Sequence, residues 1–321
     1  MGKRRNPRHG SMQFWPRVRA SREHAHVHGW GIGTGILGFA GYKVGMTHLM
    51  VTDNKPTSKT KGQDIFMPAT IIECPPLKAI GIRFYQYAHY GSQTVSQIMA
   101  QNLDKELARS ISLPKNKHGK EAEQFDDLTL LVQTQPKLTG IGKKKPEVFE
   151  LGLGGKKEDK LALAKQKLGQ DILIQDVFKA GELLDAHVVT KGRGFQGPVK
   201  RFGVTLRSHK SEKSVRQPGS LGGWSAQGHV MYRVAHAGHM GYHQRTEYNK
   251  WLLKISTNPA EATQKGGFVH YGVVKNPFVI IKGSVGGPQK RLIKLSKPIR
   301  PDKLIPKEAP TITHFSSEAK Q

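Results

Sequence analysis

Short apolar runs separated by glycine and proline dominate the hydrophobic pattern of the chain, and such runs predict many short β-strands. We expect strands at Thr47–Val51, Ala69–Glu73, Ala79–Tyr85, Leu128–Thr134, Asp185–Thr190, Gly267–Val274, Phe278–Lys282 and Arg291–Leu295. Apolar residues at helical spacing predict two helices, over Ser96–Ser110 and over Lys157–Gly169, with Gly169 as the expected C-cap. Short strands with this punctuation favour a barrel or a sandwich.

These elements predict a mainly β fold with an α+β insertion. We expect a β-barrel core from which a long basic loop and a basic N-terminal extension emerge. The predicted parts are a basic arm at residues 1–30, a barrel core at residues 31–90 and 170–321, and an α/β insertion at residues 91–169. The long basic central extension lies within residues 190–265 of the core.

Charge changes this picture more than any other property. The 321 residues include 51 Lys and Arg against 24 Asp and Glu, a formal net charge of +27. Residues 86–189 are almost balanced, with 15 basic and 14 acidic side chains, so the excess lies elsewhere. It concentrates in residues 1–30 and 190–251, which are poor in apolar residues and rich in glycine or histidine. Such self-repulsion makes sense if a polyanion neutralises it, and nucleic acid is the leading candidate.

Composition also limits the setting of the protein. No stretch has the roughly 18 consecutive apolar residues of a membrane-spanning helix, and no basic helix has an apolar face for a membrane surface. The single cysteine, Cys74, cannot form an internal disulfide or a cysteine-based zinc site, and the N-terminus lacks the apolar core of a signal peptide. We therefore expect a reducing, cytoplasmic location.

Two matches to GxGxxG, at Gly33–Gly38 and Gly192–Gly197, raise the alternative of a dinucleotide-binding enzyme. The fingerprint requires a buried strand before the glycines and a helix after them. The first match follows a histidine-rich stretch and precedes further glycines, and Pro198 with a series of cations follows the second. Glycines that allow tight turns or close approach of a partner are the better interpretation.

Histidines offer a second alternative, because His24, His26 and His28 alternate while His236, His239 and His243 have helix-like spacing. Neither set has the nearby cysteines or carboxylates, or the regular element, that a zinc site needs. The acidic residues of the basic stretches are isolated, so catalytic carboxylate pairs have no support either. We predict no metal, no cofactor and no small-molecule substrate.

The chemistry that remains is recognition of RNA. Arginine binds phosphate in a bidentate manner and stacks on bases, and aromatic rings add stacking surfaces. The central extension combines these side chains with glycines around Trp224, which suits the irregular surface of a folded RNA. The alternative for Trp224 is packing in a small local core, although its neighbours supply little apolar area.

Six blocks of sequence carry a resemblance. They are Pro7–Gly10, Leu37–Thr47, Pro68–Pro76, Val189–Gly197 with Arg201, Trp224 with His229–Gly238 and Gly241–Thr246, and Gly266–Gly272 with Lys282-Gly283 and Lys290-Arg291. Their content and order resemble the ribosomal protein L3 family in its archaeal and eukaryotic form, over nearly the whole chain. Two local departures are Leu131-Val-Gln-Thr-Gln135, where the family has a histidine, and Ser225-Ala-Gln, where it has a His-Pro pair. The length of the chain favours an archaeal source.

The resemblance implies a β-barrel like the second domain of translation factors, an inserted α/β lobe, and an extension that reaches towards the peptidyl transferase centre. Gly222, Gly223 and Trp224 would lie at the tip of that extension. The implied partners are large-subunit ribosomal RNA and neighbours such as ribosomal proteins L14 and L24e. The implied function is that of a structural constituent supporting subunit assembly and translation, without catalysis. An RNA-modifying enzyme and a free, chaperone-like RNA binder are the rival hypotheses.

The predicted RNA-binding residues are cations, histidines, one glutamine and one aromatic residue of these blocks and stretches. They are Lys3, Arg4, Arg5, Arg8, His9, Arg17, Arg19, Arg22, Lys43, Lys191, Arg193, Lys200, Arg201, Arg207, His209, Lys210, Arg216, Gln217, Trp224, Arg233, His239, His243, Arg245, Lys290 and Arg291.

Overall fold

The computed structural model describes residues 10–11, 13–113, 119, 121–222 and 228–318. The chain forms two compact units. The smaller unit consists of Met1–Arg22 and Val189–Gln244, and the larger unit consists of Glu23–Val188 and Arg245–Gln321.

Strands predominate among the regular elements of the described residues. In chain order they are β1 (Gly35–Ile36), β2 (Gly38–Thr52), β3 (Asp64–Glu73), β4 (Leu77–Ala88), β5 (Gly91–Met99), β6 (Asp127–Gln133), β7 (Val148–Gly154), α1 (Lys157–Lys167), β8 (Asp171–Ile172), β9 (Leu183–Val189), β10 (Phe195–Gln196), α2 (Pro198–Phe202), β11 (Gly238–His239), β12 (Gln244–Ser256), β13 (Phe278–Lys282), β14 (Leu292–Ser296) and β15 (Ile312–Phe315). Short 3-10 turns lie at Lys105–Arg109, Pro136–Leu138, Ile174–Asp176 and Pro259–Glu261. The fold is mainly β, as predicted.

A closed barrel forms the core of the larger unit. Its sheet has the order β14-β9-β12-β13-β3-β2, and a further pairing between β14 and β2 closes the ring. The second half of β2 continues past the ring and pairs with β15. All six ring strands contribute to one buried apolar cluster, through residues such as Phe39, Ile72, Leu184, Leu252, Ile280 and Ile293. The barrel predicted from the spacing of strands and turns is therefore present.

Two of the three glycines of the first GxGxxG match belong to strands and not to a phosphate-binding turn. Gly35 lies in β1, and Gly38 begins β2. Further along β2, a Cβ at Gly41 would lie 2.6 Å from the Glu73 carbonyl oxygen and 2.7 Å from the Cys74 sulfur. Glycine is therefore needed at Gly41 because two chain segments approach closely in the barrel wall.

A buried carboxylate fixes the loop before β13. The Glu73 side chain, at the end of β3, accepts hydrogen bonds from the Asn276 side chain at 2.7 Å and from the amides of Lys275 and Asn276, both at 2.9 Å. It also accepts one from the Tyr271 hydroxyl. Burial, together with the charge of Glu73, raises the pKa of Tyr271, which keeps this hydroxyl a donor.

The strand expected at Gly267–Val274 is wrong. Phe268 and Tyr271 are buried, but His270 has a φ of +61° and Gly272 a φ of +98°, so this segment is a tight turn. The apolar content of this run resembled a strand, but its buried residues, Phe268, Tyr271 and Val274, recur every three positions and not every two.

A second sheet in the larger unit has the order β1-β7-β6-β4-β5, with β8 also paired to β4. The helix α1 packs against it through Ala164, which is fully buried. This helix confirms the prediction over Lys157–Gly169, and Gly169 follows its C-cap with a φ of +78°. The strands predicted around residues 47, 69, 79, 128, 185, 278 and 291 are also found, within β2, β3, β4, β6, β9, β13 and β14.

The helix predicted over Ser96–Ser110 is wrong. Its first residues end strand β5, and only Lys105–Arg109 form a single 3-10 turn. Leu107 on this turn packs with Ile80 and Leu131 in a small buried cluster that also includes Met99 and Leu103. The apolar spacing of a helix is therefore satisfied here by a strand end followed by a turn.

A buried histidine connects three barrel strands. His187 on β9 forms hydrogen bonds through Nδ1 with Thr246 Oγ1 on β12 at 3.0 Å and through Nε2 with Ser296 Oγ on β14 at 2.9 Å. Burial, reinforced by the positive charge of Lys294, lowers the pKa of His187 to about 4. The barrel therefore holds this side chain in its neutral form at pH 7.

No helix of the described residues is both long enough and apolar enough to cross a membrane.

Candidate nucleic-acid interface

The smaller unit concentrates positive charge without a core of its own. Its sequence contains sixteen Lys and Arg and a single acidic residue, Glu212. Among its described apolar side chains, only Val189 and Val204 are buried. Hydrophobic burial therefore contributes little to its structure, and the cations repel one another at short range. Such a unit is stabilised when an anion occupies its surface.

Main-chain contacts join the N-terminal arm to the returning end of the central extension. The Ala20 amide donates to the Tyr242 carbonyl at 2.8 Å. The His243 ring donates from Nδ1 to the Val18 carbonyl at 2.9 Å and accepts the Gly241 amide at Nε2, at 3.2 Å. His243, a predicted RNA-binding residue, therefore joins the arm to the extension through Nδ1 and fixes its own turn through Nε2.

Arg201 has a similar internal role. Its Nε donates to the His239 carbonyl and its Nη1 to the His236 carbonyl, each at 3.0 Å. The guanidinium also lies 4.9 Å from the centre of the Phe202 ring. Partial burial, together with the charge of Arg17, lowers the pKa of Arg201. The arginine thus fixes the turn before β11, beside the β10–β11 pair.

The Phe202 ring is shared between the arm and the extension. Arg17 from the arm lies 4.9 Å from the ring centre, as Arg201 does. Gly10 packs against the same ring with a φ of +82°, a position without room for a side chain. Two arginines on one ring place two positive charges close together, which favours an anion nearby.

Most of the other predicted residues in the smaller unit present their side chains to solvent. The exposed ones are Arg19, Arg22, Lys191, Arg193, Lys200, Arg207, His209, Lys210, Arg216, Gln217, Arg233 and His239. The Arg19 guanidinium lies 5.7 Å from the centre of the Tyr242 ring, and this contact orients the Arg19 side chain. Arg17, Arg201 and His243 are half-buried, and Gly222 is exposed. The structure thus separates an exposed set from a half-buried set that shapes the unit.

The remaining described candidates lie in the larger unit. Lys43 donates from Nζ to the carbonyls of Val285 and Gly287, the latter at 3.0 Å, and burial lowers its pKa. Arg291 donates to the Glu23 carbonyl at 3.1 Å. Arg245 is half-buried and Lys290 is exposed.

Some predicted site residues lie outside the described residues. They are Lys3, Arg4, Arg5, Arg8, His9, Gly223 and Trp224. For these the sequence-based prediction stands as stated.

Exposed aromatic residues were missed by the sequence-based list. Phe14, Trp15, Phe195 and Tyr232 are each more than half exposed, and the Trp15 and Tyr232 rings meet edge to face at 5.9 Å between centroids. Aromatic rings among cations are typical of surfaces that stack on unpaired bases. The signal available in the sequence was the Phe14-Trp15 pair within the basic arm.

The alternative ligand sets form no metal site in the described part of the chain, where no three His, Cys, Asp or Glu side chains come together. The His26 and His28 rings lie edge to face at 4.7 Å. The second GxGxxG match is followed by α2, a helix of only five residues. That is too short for the dinucleotide-binding arrangement.

The closed barrel and the core-poor cationic unit define a class: a strongly basic, mainly β protein. The profile of the family described as Ribosomal protein L3 matches residues 1–127 and 120–320. The chain is 43% identical to the large ribosomal subunit protein uL3 of Methanobrevibacter smithii over all of this chain and 99% of that protein. It is 46% identical to the uL3 of Methanocaldococcus jannaschii, over 98% of this chain and 97% of that protein.

The chain belongs to the ribosomal protein L3 family, in its archaeal form. A member of this family is a structural, non-enzymatic component of the ribosome.

Proposed function

We propose that this protein is a constituent of the large ribosomal subunit that binds ribosomal RNA and stabilises its fold, mainly through the smaller unit. The observation that carries the proposal is the composition of that unit, with sixteen cations, one acid and almost no buried apolar side chain. Phosphate is the abundant ligand that neutralises such a surface, and binding releases the counterions held by the RNA. Bound RNA then supplies the stabilisation that the smaller unit lacks on its own.

Folded RNA suits this surface better than duplex DNA. The exposed rings of Trp15, Phe195 and Tyr232 offer faces on which unpaired bases stack, and duplex DNA keeps its bases paired. Arg201 and His243 hold the main chain from inside, while Arg207 and Arg216 present their side chains at the surface, where phosphate can reach them. Some basic side chains thus stabilise the unit from inside, and others are presented to the RNA.

We propose that the central extension, within residues 190–265, reaches towards the peptidyl transferase centre with Gly222, Gly223 and Trp224 near its tip. Support comes from the family block around Trp224 and from glycines such as Gly219, whose φ is +93° and which let the chain follow an irregular surface. Ribosomal proteins L14 and L24e are the proposed neighbours, and the cytoplasm is the proposed location. We retain the proposed division into an arm at 1–30, a core at 31–90 and 170–321, and an insertion at 91–169.

Sedimentation of a lysate tests the function directly. A tagged chain should co-migrate with the large subunit and remain there after a high-salt wash, because many ionic contacts must break together. The matched variants are Arg207→Gln with Arg216→Gln, which should lower incorporation, and Lys144→Gln with Lys145→Gln in the charge-balanced segment, which should not. A chain that sediments as a soluble monomer would contradict the proposal.

A further inference from the structure

The longest charge-free run of the sequence forms an exposed hairpin. No Lys, Arg, Asp or Glu occurs between Phe84 and Leu103, in a chain where 23% of residues are charged. This run contains the end of β4, the turn and all of β5, and β4 pairs with β5 from Gly81↔Met99 to Ala88↔Gly91. A strongly basic protein thus has one projecting element with no fixed charge.

The distal part of this hairpin is fully accessible. Every residue from 86 to 95, the segment called here the hairpin tip, is exposed. Tyr90 is completely exposed, Tyr87 is 64% exposed and Val95 is 48% exposed. Large exposed side chains on a charge-free element mark a protein interface, since interface cores are enriched in tyrosine and depleted of lysine, aspartate and glutamate.

The base of the hairpin is held rigidly. The Tyr87 amide donates to Asp126 at 2.7 Å, and the Tyr85 hydroxyl donates to Glu150 at 2.6 Å. Arg83 bridges the strands by donating to Gln97 and Glu150. The carboxylates around this base are paired with cations, Glu150 with Arg83, Asp126 with Lys157 and Asp127 with Lys160, so the charges there are balanced. The tip itself is a preorganised surface that offers no cation to an RNA backbone.

Strand β5 is also the edge of its sheet. The sheet order ends at β5, and among the described residues its main-chain partners belong to β4 alone. Gly119 lies against Gln97 and Ile98, so the second half of the edge is partly covered. Among the described residues, no strand pairs with the outer side of the first half, Gly91–Val95, and this half carries neither a lysine nor a proline to prevent pairing. Unpaired edge groups are recognised by another extended main chain.

We propose that the hairpin tip docks a neighbouring protein of the large subunit, through an extended, uncharged segment of that protein that adds a strand along Gly91–Val95. Tyr87 and Tyr90 would pack against the side chains of the added strand. This docking rests on membership of the ribosomal protein family. The hairpin tip is a different surface from the RNA interface, so protein docking and RNA binding can fail independently.

Cross-linking within purified large subunits tests the occupant. A photo-reactive phenylalanine analogue in place of Tyr90 should give an adduct that survives nuclease and contains a peptide of another ribosomal protein. In the same subunits, amides within Gly91–Val95 should exchange hydrogen more slowly than in the free protein. An adduct removed by nuclease would assign the tip to RNA, and no adduct with unchanged exchange would leave the tip in solvent; either result overturns the proposal.

A lysine placed on the edge strand β5 tests the strand addition, and a lysine placed on another exposed loop is its control. Thr94→Lys should reduce the yield of the protein adduct by about fivefold or more, because strand addition would bury an unpaired ammonium group. Thr57→Lys, at an exposed position of another loop, should leave the yield unchanged. Both variants should bind an isolated ribosomal RNA fragment as the parent does, which shows that both are folded. If Thr94→Lys left both adduct yield and exchange protection at parental levels, strand addition would be wrong.

Discussion

At the residue scale, the basic side chains of the smaller unit divide into those that build the surface and those that are presented by it. Arg201 and His243 donate hydrogen bonds to carbonyl groups of the same unit, while Arg207 and Arg216 are exposed. The sequence predicted all of these as RNA ligands, because composition reports the charge of a side chain and not the partner it finds. Only the fold distinguishes the two roles.

A single methyl group tests the internal role of Arg201. A Cβ at Gly238 would lie 2.6 Å from Arg201 Nη1, so Gly238→Ala should displace the guanidinium from the two carbonyls it holds. We expect faster amide exchange around β10 and β11 and a loss of local stability of about 1 kcal/mol. Gly197→Ala is the control, since a Cβ there meets no atom within 4 Å. Equal exchange rates in the two variants would show that the arginine contacts do not hold this region.

Trp224 is predicted from sequence to act at the tip of the extension and not in attachment to the subunit. Trp224→Ala should still be incorporated, because stacking is worth about 1–3 kcal/mol per base and many ionic contacts remain. Its effect should be on peptidyl transfer or tRNA binding, measured with purified subunits. Charge reversal at Arg207 or Arg216 should instead impair incorporation. Failed assembly with Trp224→Ala, with normal activity of whatever subunits form, would support the packed local core.

At the element scale, the sequence predicted strands well where both faces are buried. Residues Ala69–Glu73 of β3 and the strands β9, β13 and β14 are buried almost throughout and mostly apolar, and the structure confirms them. The prediction from sequence failed for β5, which is polar and exposed. It also failed for the first half of β12, Gln244–Lys250, where polar and apolar residues do not alternate. The pairing of the arm with residues 242–243 has no local signal at all, because it joins segments more than 200 positions apart.

His187 makes the stability of the barrel depend on pH. Its pKa is about 4 in the folded chain, against 6.5 for a free histidine, so the unfolded chain binds a proton more readily. Stability from this group is complete above pH 6.5 and is lost as the pH falls towards 4, by up to about 3 kcal/mol. Urea unfolding of His187→Gln between these pH values should show a smaller loss than the parent.

The control for that measurement is His314→Gln, which changes an exposed histidine on β15. Its pH profile should match that of the parent. If the His187→Gln profile also matched the parent, the link between β9, β12 and β14 through His187 would not be a source of the pH dependence.

At the scale of the whole molecule, charge is divided between parts with different tasks. The segment 86–189 is nearly neutral, while the arm within residues 1–22 carries seven cations and no acid. This division was visible in the sequence, and the structure adds that the cationic part has almost no core. RNA binding by the arm should therefore have a strong salt dependence.

Deletion of residues 1–22 should lower the slope of log affinity against log salt for a ribosomal RNA fragment, by at most about 5 to 6. Arg19→Gln with Arg22→Gln should lower it by up to about 1.5, since each neutralised phosphate contributes roughly 0.7 to 0.9. Lys144→Gln with Lys145→Gln is the charge-matched control and should leave the slope unchanged. An unaltered slope after the deletion would mean that the arm is solvated in the complex.

The barrel closes late in synthesis, because β2 and β14 lie about 250 residues apart in the chain and must pair to complete the ring. The ring pairs Tyr42 with Leu292, so it cannot close until the ribosome that synthesises the chain has released residue 292. The arm and the central extension leave that ribosome earlier, and they need no core to bind an anion. A nascent chain can therefore bind RNA while its apolar strands are still unpaired. Whatever binds the basic segments first must then also protect those strands from aggregation.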